Sequence, residues 1–242
     1  MNKEFWIRKA HRYLGLFVGI QLLLWVVSGL YFTWNDIDKV RGAHMTNVVA
    51  TDIRADRLAG LDGVLRSFRE TNPQIRSIER VELRLLLGQP VYEISFSSGD
   101  ETDFRLVDAV SGELMPLLDE ATAVRLAQAD FAEAAEVQGV ELLRTASGHA
   151  EYRGRDLPVY RVTMKHPDEV SIYVSARRGM VTARRNSTWR VFDFFWMLHT
   201  MDFETRDDFN HVLIKLFSVL GLITVLSGFL HWAVHTPLFR KR

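Results

Sequence analysis

Two long apolar segments lie near the ends of the chain and enclose a long polar stretch. The first, residues 13–34, contains no charged side chain, and the second, residues 211–235, contains only Lys215, close to its start. Roughly 20 apolar residues in a helix cross the hydrocarbon core of a bilayer. The pattern therefore predicts two transmembrane helices, with residues 35–210 as one large domain between them.

Basic residues at both chain ends predict the orientation of these helices. Four precede the first apolar segment and three follow the second: Lys3, Arg8, Lys9, Arg12, Arg240, Lys241 and Arg242. Cytoplasmic flanks of membrane helices carry an excess of Lys and Arg. We therefore expect residues 1–12 and 236–242 in the cytoplasm and residues 35–210 outside it.

The polar domain repeats itself. Residues 89–96 reappear as residues 157–164, each with a Pro-Val-Tyr core, and each copy leads through a second strand to a glycine, Gly112 or Gly179. Apolar and polar side chains alternate in these strands, which is typical of half-buried antiparallel sheet, and a helical pattern precedes each copy. We predict an α+β fold with two repeats of helix and antiparallel hairpin, at residues 54–118 and 120–186.

Composition limits the chemistry that the chain can perform. The 30 basic and 30 acidic residues give zero net charge, which gives no support for a nucleic-acid partner. The absence of cysteine excludes disulfides, thiolate catalysis, iron–sulfur clusters and cysteine zinc sites. Any redox cofactor must then be held without cysteine thiolates.

Histidines at the inner ends of both apolar segments form the first candidate site. His11, Gly15 and Gly19 follow one another at every fourth residue, as do Ser227, His231 and His235, so each set forms one helical stripe. In antiparallel helices these stripes meet, and small residues beside an imidazole leave space for a flat macrocycle. We predict haem b with His11 as an axial ligand, paired with His231 or His235. The alternative is that Gly15 and Gly19 are a helix-packing motif.

A second candidate group, on the outer side, comprises His44, His199 and His211, with His211 as a further candidate ligand of haem iron. On an ideal helix His211 and His231 lie about 200° apart, so both face the first helix only if the second helix bends or a second protomer supplies ligands. The alternative role of His199 and His211 is in capping or at the membrane interface.

Several short motifs resemble those of the PepSY-associated transmembrane proteins. They are the repeated Pro-Val-Tyr strands and the segments His11-Arg12-Tyr13-Leu14-Gly15-Leu16, Arg41-Gly42-Ala43-His44, Met197-Leu198-His199-Thr200 and Asn210-His211. This resemblance covers nearly the whole chain and implies tandem PepSY modules in the periplasm of a bacterium, anchored in the inner membrane. Longer members, with more transmembrane helices, are similar to ferric-siderophore reductases that carry haem.

Two functions follow from these patterns. The first is a b-type haem protein that takes part in outward electron transfer, or in ferric-siderophore or iron reduction, as a subunit or accessory. Because the chain has no dinucleotide fingerprint, electrons would come from the quinone pool or a membrane redox partner, and a homodimer is a further expectation. The alternative is a non-catalytic, membrane-anchored module that binds a periplasmic partner. Whether the protein is an enzyme stays open.

Overall fold

The computed structural model describes residues 3–47, 52–53, 57–99, 101–147 and 150–235. The side chains at positions 3–8, 10, 101, 230, 231 and 233–235 fall outside this description. The chain forms two compact units, a helix unit (Met1–Ile37 and Arg190–Arg242) and a domain unit (Asp38–Trp189).

Six helices and seven strands follow one another in the described residues, together with a short 3₁₀ turn at Ala43–Met45. The helices are α1 (Lys3–Trp34), α2 (Ile37–Val40), α3 (Leu61–Thr71), α4 (Glu120–Asp130), α5 (Ser187–Thr200) and α6 (Val212–His235). The strands are β1 (Ser77–Leu86), β2 (Gln89–Ser98), β3 (Glu101–Asp108), β4 (Val137–Leu143), β5 (Val159–Met164), β6 (Ser171–Ser175) and β7 (Met180–Arg185).

Helices α1 and α6 carry the two apolar segments. Residues His11–Trp34 of α1 and Val212–Phe229 of α6 are long and apolar enough to cross a membrane. Most of their side chains are exposed in the folded chain, as expected where lipid rather than protein covers a helix. The predicted membrane protein of α+β class, with two apolar spans around antiparallel sheets, is confirmed.

The N-terminal half of α1 packs against α6. The rings of Phe17 and Phe217 lie 5.2 Å apart between centroids, and Val18 is fully buried. Close approach is possible because Gly221 faces α1, where an added Cβ would lie 3.7 Å from the Leu22 side chain. This contact is therefore made through Gly221, whereas an added Cβ at Gly15 or Gly19 would meet no described atom within 4 Å.

The C-terminal half of α1 packs against α5, a helix that the sequence analysis did not predict. Aromatic rings make this contact, with centroid distances of 4.9 Å for Tyr31 and Phe195 and 4.7 Å for Phe32 and Phe192. Such stacked and tilted rings stabilise a helix pair beyond their buried area. Helix α1 therefore contacts α6 along its N-terminal half and α5 along its C-terminal half.

The domain unit consists of two antiparallel sheets, each preceded by a helix. The sheet orders are β1-β2-β3 and β4-β5-β6-β7. Helix α3 buries Val64 and Phe68, four residues apart on one face, and α4 begins where the Asp119 side chain accepts the N–H of Thr122 at 2.8 Å. Both helices thus cover one face of the sheet that follows them.

Matching hydrogen bonds show that the two sheets are copies of one unit. The hydroxyl of Tyr92 in β2 donates to the Ala59 carbonyl at 3.1 Å, and that of Tyr160 in β5 donates to the Leu118 carbonyl at 3.1 Å. Each carbonyl lies two residues before its helix, α3 or α4. The predicted equivalence of the two tyrosines is confirmed.

The two equivalent glycines lie in the turn after the third strand of each repeat, in the left-handed region, with φ of 77° at Gly112 and 58° at Gly179. They differ in their surroundings. A Cβ at Gly179 would approach Leu106 to 2.9 Å, whereas at Gly112 the nearest atom, in Val64, is 3.5 Å away. The second glycine turn therefore packs into the first repeat, and one hydrophobic core contains residues of both.

Candidate functional site

His199 lies in the last turn of α5, against α1. Its Nδ1 is 2.7 Å from Oγ of Ser28, a residue with no exposed surface. The ring also lies 5.5 Å from Phe32 and 6.5 Å from Trp25 between centroids. Burial lowers the pKa of His199 because an imidazolium loses hydration there, which favours the neutral ring.

Side chains fix the end of α5 and thereby the position of His199. The last four carbonyls of a helix have no partner within it. Here three of them accept from side chains outside the helix: Leu198 O from Gln21 Nε2 (3.3 Å), His199 O from Trp25 Nε1 (2.8 Å) and Thr200 O from His211 Nε2 (2.9 Å). Two of these donors belong to α1, so α5 ends at a defined height along that helix.

His11 makes the same contact at the other end of the helix unit. Its Nδ1 lies 2.8 Å from Oγ of Ser227 in α6, so the predicted meeting of the two stripes is confirmed at this pair. His231 and His235 follow Ser227 at one and two further turns of α6, and their side chains lie outside the described residues. Ligation by either one stays a prediction.

The two pairs share one chemical property. In each, the ring uses Nδ1 for the serine, and within the part of the chain that the structure describes Nε2 has no hydrogen-bond partner. Nε2 of a neutral imidazole held through Nδ1 is a standard metal-ligating atom. Each pair can therefore supply one axial nitrogen.

The distance between the pairs separates them into two sites. Ser28 and His11 are 17 residues apart in α1, which corresponds to about 25 Å of helix. One macrocycle cannot bind at both places. His11 and His199 therefore cannot be the two ligands of a single haem.

The described side chains leave space beside the His11 stripe of α1. An ideal Cβ added at Gly15 or at Gly19, one and two turns from His11, would have no heavy atom of the described residues within 4 Å. On another face of α6 there is an apolar groove of about 440 Å³, lined by Val225, Gly228, Phe229 and Trp232. The donor nitrogen and the open small-residue stripe are what a haem would need on the α1 side.

The other histidines differ from these two. His44 is exposed in the 3₁₀ turn of the domain unit, and His211 uses Nε2 to donate to the Thr200 carbonyl. Both ring nitrogens of His166 are engaged, since Nδ1 accepts the N–H of Asp168 at 3.1 Å and Nε2 lies 3.0 Å from Glu133. His149 lies outside the described residues. Among the described residues, no group of three or more His, Asp or Glu side chains could hold a metal ion.

Sequence reasoning did not find Ser28, Gln21 or Trp25 as site residues. The available signal was polarity, because Gln21 and Ser28 are uncharged polar side chains within an apolar membrane segment. Such residues usually face protein and find a partner there. Both are buried, at 8% and 0% exposure, against α5.

Comparison with known proteins gives one match. The sequence profile of the PepSY-associated TM region matches residues 8–242, nearly the whole chain. No curated protein and no solved structure matches significantly.

Proposed function

Because the chain belongs to the PepSY-associated transmembrane family, we propose that it is a bacterial inner-membrane protein that binds b-type haem and takes part in outward electron transfer. The observation that carries this proposal is the pair of imidazoles, His11 and His199, each held through Nδ1 and each with no partner for Nε2 among the described residues. Their separation of about 25 Å along α1 suits one haem towards each membrane face.

The residues divide between two haem groups. At the inner side His11 and either His231 or His235 would hold the haem iron. At the outer side His199 would be a ligand, while His211 holds the end of α5. His44 belongs to the domain unit, and its role as a ligand stays a prediction. Haem supplies one-electron chemistry, and the protein supplies ligand orientation and an apolar surround.

The direction of transfer follows from the proposed orientation. Basic residues at both ends, such as Arg8 and Arg242, favour cytoplasmic termini and a periplasmic domain unit. Electrons from the quinone pool or a membrane partner would enter near His11 and leave near His199. The acceptor we propose is a ferric complex such as a ferric siderophore, reached directly or through a partner protein.

A haem measurement on the purified protein tests this function. The full chain is expressed with ample haem and solubilised in detergent, and the expected result is a low-spin b-type spectrum. His11→Ala and His199→Ala should each remove roughly half of the bound haem, since each supplies one ligand of a different group. His166→Ala is the matched control, because both nitrogens of that ring already have partners.

Two outcomes would contradict the proposal. One is a wild-type protein without haem, in which case the non-catalytic interaction module becomes the better account of the domain unit. The other is a haem spectrum and haem content that neither His11→Ala nor His199→Ala changes. The first outcome would contradict haem binding, and the second would contradict the roles of His11 and His199 as ligands.

A further inference from the structure

The hydroxyls of Ser28 and Ser227 each lie within hydrogen-bond distance of carbonyls in their own helix. Oγ of Ser28 lies 2.6 Å from the Leu24 carbonyl and 3.1 Å from the Trp25 carbonyl, and Oγ of Ser227 lies 2.8 Å from the Thr224 carbonyl. A carbonyl oxygen only accepts, and a serine hydroxyl has one proton to donate. In both residues that proton points back into the serine's own helix.

The consequence is that each serine presents only a lone pair to its histidine. The ring nitrogen at 2.7 Å in the outer pair and 2.8 Å in the inner pair must then be the donor, so Nδ1 carries the hydrogen. In a neutral imidazole with hydrogen on Nδ1, Nε2 has the free lone pair. In the opposite tautomer the serine would have to donate to Nδ1, and it would lose its hydrogen bond to the helix carbonyl.

We propose that Ser28 and Ser227 are positioning residues that hold His199 and His11 in the Nδ1–H tautomer and so present Nε2 as a preformed ligand atom. The tautomer assignment stands on the hydrogen bonds alone, and its use for haem rests on the proposed function. A partner that fixes the second ring nitrogen of a ligating histidine typically changes affinity for the metal group by about 10- to 100-fold.

The chain contains its own contrast to these two residues. His211 donates from Nε2 to the Thr200 carbonyl, and His166 accepts the N–H of Asp168 at Nδ1. Both must carry hydrogen on Nε2 in the neutral form. Among these four histidines we therefore expect two of each tautomer. Only the two that contact a serine should carry hydrogen on Nδ1, and this can be tested within one protein.

Nitrogen NMR measures the tautomers directly. The full chain, labelled with ¹⁵N-histidine and reconstituted in liposomes without haem, is studied at about pH 8.5, roughly two units above the usual histidine pKa. Single His→Gln variants assign the ring signals. We expect a bare Nε2 in His11 and His199 and a bare Nδ1 in His166 and His211.

Serine variants then test the cause. Ser28→Ala should convert the His199 signal partly or wholly to the Nε2–H form, and Ser227→Ala should give a mixture at His11. Ser218→Ala is the matched control, because Ser218 makes the same bond to a helix carbonyl, Ile214 O at 2.8 Å, and has no histidine partner among the described residues.

The results separate this inference from the haem proposal. Hydrogen on Nε2 of His11 or His199 in the wild type, or an unchanged His199 signal in Ser28→Ala, would overturn the positioning role even if haem binds. The expected tautomers in a protein that takes up no haem would support the positioning role while the haem proposal fails. If the tautomers are as expected, and haem binds more weakly to Ser28→Ala but with unchanged affinity to Ser218→Ala, both the positioning role and the haem proposal are supported.

Discussion

His199 and His11 make the same hydrogen bond in different surroundings. The outer pair is packed inside the helix unit, with Ser28 fully buried and two aromatic rings near the imidazole. The inner pair lies on the surface, where His11 is exposed and no described side chain other than Ser227 holds its ring. Protein thus determines the outer environment, and the bilayer or a partner determines the inner one.

This difference teaches how much each serine contributes. A buried N–H that loses its only acceptor keeps the full desolvation cost, whereas an exposed one can bind water or a lipid headgroup instead. We therefore expect the same substitution to have a larger effect at Ser28 than at Ser227. The ratio of the two effects compares how far each site excludes water and lipid headgroups.

The largest effect is expected for Ser28→Ala. It leaves Nδ1–H of His199 without an acceptor, which should lower the free energy of unfolding by about 1–3 kcal/mol. Affinity of the outer site for haem should fall by about 10- to 100-fold. Denaturant unfolding in detergent and haem titration measure the two values.

Ser218→Ala is the control for this prediction, with an expected change in unfolding free energy within about 0.5 kcal/mol. It removes the same kind of helix bond from an exposed serine of α6. Equal losses in the two variants would mean that the hydroxyl acts on its own helix and that its contact with His199 contributes nothing.

A smaller effect is expected for Trp25→Phe. The ring remains but its N–H no longer donates to the His199 carbonyl, a bond of 2.8 Å. The unfolding free energy should fall by about 1 kcal/mol, and haem should bind the outer site less tightly because the end of α5 is less fixed. Trp34→Phe, at a highly exposed position, should leave both quantities unchanged. A haem affinity that does not respond to Trp25→Phe would show that the end of α5 does not position His199.

Local pattern was enough to predict much of the fold. Length and hydropathy predicted α1 and α6, and the repeated Pro-Val-Tyr strands predicted two copies of one unit, because both signals lie within short stretches of sequence. Helix α5 was not predicted. Its 14 residues include Asp193 among aromatic side chains. The segment therefore shows neither the regular spacing of apolar residues of an amphipathic helix nor the length and hydropathy of a membrane span.

The candidate site was predicted in part. His11, His199 and Ser227 were named from spacing and flanking position, but Ser28 was not, because it lies 171 residues from His199 along the chain. That pairing depends on the register between α1 and α5. The register is fixed by side-chain contacts such as Gln21 with the Leu198 carbonyl, and no local pattern encodes it.

The smallest effect is expected for Ser227→Ala in the inner pair. His11 is exposed, so water or a headgroup can accept from Nδ1, and the unfolding free energy should change by less than about 1 kcal/mol. Haem affinity of the inner site should fall less than tenfold, below the loss for Ser28→Ala at the outer site. Ser227→Thr keeps the hydroxyl and should restore the wild-type affinity. A loss at Ser227 as large as that at Ser28 would break the comparison, and it would indicate that the inner pair is closed from water in the membrane by α6 beyond Ser227 or by a second copy of the chain.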